Sequence, residues 1–245
     1  MPLLEMNGST LTQPLLEMDK VVAGYGPTPV LFDVNMSINK GDIACLLGRN
    51  GVGKTTVLRT IIGLNTPNSG SISFGGKDIT KTPTYKRARE GIAYIPQGRE
   101  IIPYLSVLDN LKMGFSASGK KGNKISSEIF DFFPMLHEHL ERQGGLLSGG
   151  QQQQLAIARG LVCNPKIMLL DEPTEGIQPS IVQEIEDTLR RINKEKGITV
   201  LVVEQKIEFA RKLAQKFFIM EKGSIVENGS TAELTDSLLH RYLAV

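Results

Sequence analysis

Three short runs carry residue types suited to phosphate chemistry. The first, Gly48-Arg49-Asn50-Gly51-Val52-Gly53-Lys54-Thr55, fits G-x-x-x-x-G-K-[ST]. Its glycines let backbone N–H groups approach phosphate oxygens with no Cβ in the way. Lys54 supplies a point charge for the β- and γ-phosphates and Thr55 a hydroxyl for Mg²⁺. Thr56 follows in the same turn and joins the nucleotide-facing set. The second run, Met168-Leu169-Leu170-Asp171-Glu172, ends an apolar stretch in two acids. Asp171 can hold Mg²⁺ through water, and Glu172 is placed to polarise an attacking water.

The third run is Leu147-Ser148-Gly149-Gly150-Gln151, ahead of a glutamine-rich helical pattern. Ser148 offers a hydroxyl, and Gly149 and Gly150 expose backbone N–H groups at that helix's N-terminus. An ordinary N-cap would explain Ser148. It would not explain a second anion cradle beside a complete first one. The histidines carry no comparable signal, since His137 and His139, two apart, point different ways on a helix.

The elements around these runs are of the right kind. Residues 43–47 are apolar and lead into the phosphate loop. Val57, Leu58, Ile61 and Ile62 recur behind it at helical spacing. A strand–loop–helix order is what a true phosphate loop requires. Residues 15–39 read as strands with a turn at Gly24-Tyr25-Gly26-Pro27, and 71–74 and 92–95 as further strands. From residue 97 to 145 the texture changes to short helical patterns, 107–113 and 125–133, separated by a Gly/Ser/Lys stretch at 116–124 that reads as a solvated linker. Residues 151–162 read as a helix, 167–170 and 198–203 as buried parallel strands, and Ile181, Ile185, Leu189 and Ile192 as one face of a helix closed by Gly197. Residues 217–220 and 224–226 predict a hairpin, and Ser230-Thr231-Ala232-Glu233 a capping box opening the last helix. Alternating strands and helices give an α/β fold with a mostly parallel sheet covered on both faces.

Composition narrows the class. With 28 Lys plus Arg against 26 Asp plus Glu the net charge is +2, which supports neither a nucleic-acid stripe nor a polybasic tail. No apolar stretch approaches the roughly 18–20 residues of a membrane span, so any membrane role is peripheral. Cys45 and Cys163 lie in apolar surroundings and read as reduced core residues, which suits the cytosol. Pro2-Leu3-Leu4-Glu5-Met6 recurs as Pro14-Leu15-Leu16-Glu17-Met18, and residues 1–14 read as a disordered leader ahead of one domain over 15–245.

Over about residues 15–240 the chain resembles the ATP-binding subunits of ABC transporters. The resemblance implies a P-loop NTPase cassette: a mostly parallel core, an N-terminal antiparallel portion and a helical lobe inserted at about 98–160. It implies that Tyr25 stacks on adenine and that Gln97 joins core to lobe and reaches the Mg²⁺ held by Thr55 and Asp171. It also implies that Ser148, Gly149, Gly150 and Gln151 cover the ATP of a second ATPase subunit. Two ATPs would then lie between head-to-tail partners, at the cytoplasmic face of the membrane. The implied partners are that second ATPase, transmembrane permease subunits and, indirectly, a solute-binding protein.

Within the family the similarity is to importer ATPases for branched-chain amino acids, amides and urea, carried by Tyr94-Ile95-Pro96-Gln97-Gly98-Arg99 and Asp171-Glu172-Pro173-Thr174-Glu175-Gly176-Ile177-Gln178-Pro179. The glutamine-rich 151–154 and Gly176-Ile177-Gln178-Pro179 look more like the urea branch. Two departures stand out: Gln205 where the family has a histidine contacting the γ-phosphate, and Gln178 in place of the usual Asp. Residues 98–104 read either as part of the surface gripping the membrane subunits or as lobe core. A non-transport ABC ATPase acting on nucleic acid or ribosomes is the alternative, without a heptad run or basic excess to support it.

Overall fold

The protein is described by a computed structural model covering residues 13–119 and 124–243. The leader reading therefore lies, apart from Gln13 and Pro14, outside the described residues, as do residues 120–123 of the linker reading.

The apolar runs become the centre of a parallel sheet. β3 (Ile43–Leu47), β7 (Ile167–Asp171) and β8 (Thr199–Glu204) are buried at every residue, as expected of strands covered on both faces. With β6 (Ile92–Ile95), β9 (Lys216–Glu221) and β10 (Ser224–Ser230) they form a sheet of order β10-β9-β3-β8-β7-β6. The neighbours run parallel except β10, which returns antiparallel on β9. A second, antiparallel sheet of order β2-β1-β4-β5 is built from β1 (Leu16–Tyr25), β2 (Thr28–Ile38), β4 (Ser69–Phe74) and the short β5 (Lys77–Asp78).

Two-residue alternation divides the core into layers. Ala44 and Leu46 of β3 face α1 (Lys54–Ile61) and the antiparallel sheet. Cys45 and Leu47 face the opposite layer, formed by α6 (Gly149–Val162), α7 (Pro179–Lys196) and α8 (Ile207–Leu213). Between β6 and β7 the chain adds α3 (Val107–Ser118), α4 (Ser127–Phe132) and α5 (Pro134–Glu138), with α3 packed on α6. Cys45 and Cys163 are free thiols, Cys163 donating to the carbonyl of Gly114 at 3.1 Å.

Several boundaries differ from the sequence expectation, each for a local reason. The helix expected at 125–133 stops at Phe132, and α5 starts anew beyond it, because Pro134 drives Phe133 out of the helical region, to φ −132° and ψ 68°. α2 (Thr84–Glu90) has no apolar stripe and leaves no periodic signal. It is held instead by Arg87, buried to 2% exposure, whose guanidinium donates to the carbonyls of Thr60, Ile61, Thr80 and Thr82 and so satisfies the C-terminal end of α1. The Ser230 capping box heads a one-turn 3-10 helix, Thr231–Glu233, and the last helix, α9 (Asp236–Leu243), starts afresh at Asp236. α6 begins at Gly149, two residues before the expected start at Gln151, because Ser148 and Gln151 cap it reciprocally. Among the described residues no helix is long and apolar enough to cross a membrane.

Candidate nucleotide site and its counterpart loop

The phosphate loop leaves the end of β3 and enters α1 through Gly53, at φ 113°. Its tightness demands glycine at 48: a Cβ there would come within 2.7 Å of the Met220 carbonyl and 2.8 Å of Val52 Cγ2. The β9–β10 turn braces the loop from outside, the Gly223 N–H donating to the Val52 carbonyl at 2.9 Å. Lys54 is 4% exposed, and its Nζ donates to the carbonyls of Gly48 (2.9 Å) and Arg49 (3.1 Å). The same ammonium is 3.3 Å from Glu172 Oε1.

Glu172 follows β7 in a left-handed conformation, φ 45°, pinned by its N–H to the Val203 carbonyl at 2.9 Å. Such strain persists where surrounding contacts over-determine it. Gln205 Nε2 donates to both Glu172 oxygens, each at 3.0 Å. The carboxylate is thus flanked by Lys54 on one side and an amide on the other. Behind it, buried Glu204 accepts from Thr174 N (3.1 Å), Thr174 Oγ1 (2.8 Å) and Gln205 N (3.1 Å), tying together the loops after β7 and β8.

Asp171 is held by two hydroxyls, Thr55 Oγ1 at 3.1 Å and Tyr94 Oη at 3.2 Å. Burial pushes its carboxyl above the ordinary carboxylate range, against the pull of those two donors. Burial and the neighbouring Asp171 push the Tyr94 phenol up as well, so it stays a donor. A desolvated carboxylate, a hydroxyl and the nearby Gln97 amide are hard oxygen donors of the kind Mg²⁺ prefers, so the residues fit that ion. Gln97 itself is engaged elsewhere, its Nε2 donating to Glu175 Oε2 at 2.8 Å.

Tyr25, Asn50, Gly51, Gly53, Lys54, Thr55, Thr56, Gln97 and Glu172 line one cavity of about 500 Å³, together with Val30. Tyr25 stands half-exposed at its edge with the Arg59 guanidinium carbon 5.9 Å from its ring centroid. Of the other residues the sequence proposed, Gly48, Arg49, Val52, Asp171 and Gln205 adjoin it without lining it, through the loop itself and their bonds to Lys54, Thr55 and Glu172, whereas Ser148, Gly149, Gly150 and Gln151 lie apart from it. They form a separate helix start, where Ser148 Oγ accepts from Gln151 N (3.3 Å) and Gln151 Oε1 from Ser148 N (2.9 Å). Tyr94 and Glu204 were not anticipated as site residues. A hydroxyl in the otherwise apolar strand Ile92–Ile95, and an acid closing an all-buried one, were the signals.

Strand, loop and helix around one anion cradle, with paired acids at the end of β7, one strand further across the sheet beyond β8, define a P-loop ATPase. The ABC transporter family matches residues 31–175 of this chain. BraG of Pseudomonas aeruginosa, a high-affinity branched-chain amino acid transport ATP-binding protein, is 39% identical over 90% of this chain and 94% of BraG. Among solved structures, the ADP conformation of MJ1267, an ATP-binding cassette of an ABC transporter, superposes with a TM-score of 0.81 at 28% identity, covering 95% of this chain and 96% of that one. A dimeric post-hydrolysis state of the cassette MJ0796 bound to ADP and Pi gives 0.79 at 27% identity, covering 88% and 98%. The chain belongs to the ABC transporter family, as an ATP-hydrolysing cassette.

Proposed function

We propose that this chain is the energy-coupling ATPase subunit of a membrane importer, docked on the cytoplasmic face of permease subunits. The observation that carries the reading is the separation of its two anion cradles. One is complete, with Lys54, Thr55, Asp171 and Glu172 converging. The other, at 148–151, stands outside that cavity: its capping box takes the N–H groups of Ser148 and Gln151, and the first-turn N–H groups of Gly149 and Gly150 are the donors for a partner's phosphate. MJ0796 is dimeric in its post-hydrolysis state with ADP and Pi, and a head-to-tail partner of this chain supplies what each cradle lacks.

In this reading Tyr25 stacks on adenine and the N–H groups of 48–55 cradle the β- and γ-phosphates, with Thr56 completing the first turn. Lys54 exchanges Glu172 and the two carbonyls for phosphate oxygens. Thr55, Asp171 and Gln97 are the residues that would hold Mg²⁺, which when bound offsets phosphate charge. Released from Lys54, Glu172 accepts a proton from the attacking water while Gln205 fixes its orientation. Gln205 can donate a hydrogen bond but cannot carry a proton as histidine can. The site built on this chain's own Lys54 and Glu172 is therefore slow, and a related, non-identical partner with histidine there does much of the hydrolysis. Gln178 replaces an acid in the same partner-facing segment.

The membrane side fits an apolar groove of about 460 Å³ between core and lobe, lined in part by Leu64, Ile102 and Met113, each at least a third exposed. Tyr104, 84% exposed, stands out from the same lobe. For the solute, BraG's name favours branched-chain amino acids, while the 151–154 and 176–179 runs favour urea or short amides. The chain's own residues do not touch it, because binding protein and permease select it. The test is turnover of the full chain alone and with candidate second ATPases. A strong stimulation by one histidine-bearing partner is expected. A full transporter rate from the chain alone, unaffected by any partner, would overturn the slow-site reading.

A further inference from the structure

Residues 98–100 take three consecutive left-handed conformations, Gly98 at φ 79°, Arg99 at 71° and Glu100 at 45°. Two of them are not glycine, so the turn is strained and must be held from outside. The holder is Arg159 of α6, whose guanidinium donates to the Glu100 carbonyl at 2.8 Å and the Arg99 carbonyl at 3.1 Å. The turn that follows Gln97 is thereby fastened to the helix that carries the second cradle.

The same turn aims the Arg99 side chain at two further segments. Its guanidinium donates to Gln152 Oε1 at 3.4 Å and to the Glu175 carbonyl at 3.5 Å. It also lies against the Gly149 backbone, since a Cβ built there would stand 3.1 Å from Arg99 Nη1. Among the described residues no carboxylate lies within ion-pair distance of Arg99. Its bonds are near the outer limit of hydrogen-bond length, and bonds of that length break easily. Beside it, Gln97 holds the side chain of the same Glu175.

We propose that Arg99 is a positioning residue that latches the second cradle, at the start of α6, to the 175–176 segment. Departure of Gln97 from Glu175 on nucleotide binding then loosens one end of the latch and frees the second cradle to adjust. The planar fork suits the task because it contacts two segments at once, which a lysine ammonium does not reproduce. This inference rests on the reading that 148–151 serve a partner's nucleotide.

The test is amide hydrogen exchange on the full chain without nucleotide, for the wild type, Arg99→Ala, Arg99→Lys and Gln152→Ala. Both Arg99 substitutions should speed exchange at 149–152 and 175–177 by about tenfold, the scale of one or two weak hydrogen bonds. Exchange at 51–58 and affinity for a fluorescent ADP analogue should not move. Gln152→Ala, which also removes bonds to the Gly144 and Leu147 carbonyls, should loosen 144–152 and leave 175–177 unchanged; faster exchange at 175–177 in that variant would overturn the latch. Wild-type exchange in Arg99→Ala, or full restoration by lysine, would overturn the latch. Failure of the parent reading looks different: Ser148 and Gly150 substitutions would leave partner-stimulated turnover intact while the Arg99 variants still loosen the loop.

Discussion

Two helix starts are proposed to meet phosphate, and they are built in opposite ways. At α1 the cradle is deep, and its buried lysine already has three oxygen partners, one of them the carboxylate of Glu172, the proposed general base. At α6 the start is open, Ser148 is exposed, and its donors are occupied by its own capping box. The first region carries charge of both signs within hydrogen-bonding reach. The second has no charged residue between 148 and 151, and the nearby charge comes from Arg99 on another segment. A site neutralised internally can bind a nucleotide by exchanging partners. A neutral loop at a helix N-terminus adds directional donors and little else, so it matters only where phosphate charge is supplied from outside.

The largest effects should come from the charged cradle. Glu172→Gln should lower turnover by about 10²–10⁴, the usual contribution of a positioned general base. It should leave ATP affinity equal or higher, because Lys54 no longer has a carboxylate to give up. Loss of affinity in that variant, measured by equilibrium dialysis, would show that the Lys54–Glu172 pair does not compete with phosphate. Gln205→His should then raise the chain's own turnover severalfold, and Gln205→Ala should lower it by freeing Glu172 to rotate. Equal rates for histidine, glutamine and alanine would remove Gln205 from the chemistry.

The open cradle should answer differently. Ser148→Ala removes the α6 cap and should cost about 1 kcal/mol of stability, read as a lower Tm. ADP affinity of the isolated chain should be unchanged while partner-stimulated turnover falls. If Ser148→Ala instead weakened ADP binding to the chain alone, the two starts would share one nucleotide within a single chain.

Legibility in the sequence follows the same divide. The phosphate loop, the acidic strand end and the all-buried strands were readable because glycine spacing and apolar runs constrain backbone directly. Tyr25, Lys54, Thr55 and Glu172 do line one cavity. What escaped depends on contacts between distant segments. α2 is organised by Arg87 reaching the end of α1, with no periodic stripe to betray it. Tyr94 meets Asp171 only because β6 pairs with β7 in register. The role of Arg99 depends on the strained turn at 98–100, which residue types alone do not announce.

The smallest predicted effect concerns the support behind the open cradle. α7 backs α6 there, Gln154 Nε2 donating to Glu184 Oε2 at 3.0 Å. It also carries Glu186, 3% exposed, with Oε2 lacking a hydrogen-bond partner and the Arg190 guanidinium 4.0 Å away. Asp171, the buried acid of the other region, has two hydroxyl donors. Burial therefore raises the Glu186 carboxyl above its ordinary 4.5, with Lys212 and Arg190 pulling the other way. A carboxyl raised by folding contributes stability below its unfolded pKa and loses it as pH rises through the folded value. Glu186→Gln has no such loss. Its Tm should match the wild type near about pH 4 and exceed it by on the order of 1–2 °C near about pH 8. A gap that narrows with rising pH would mean that the cations around Glu186 outweigh its burial.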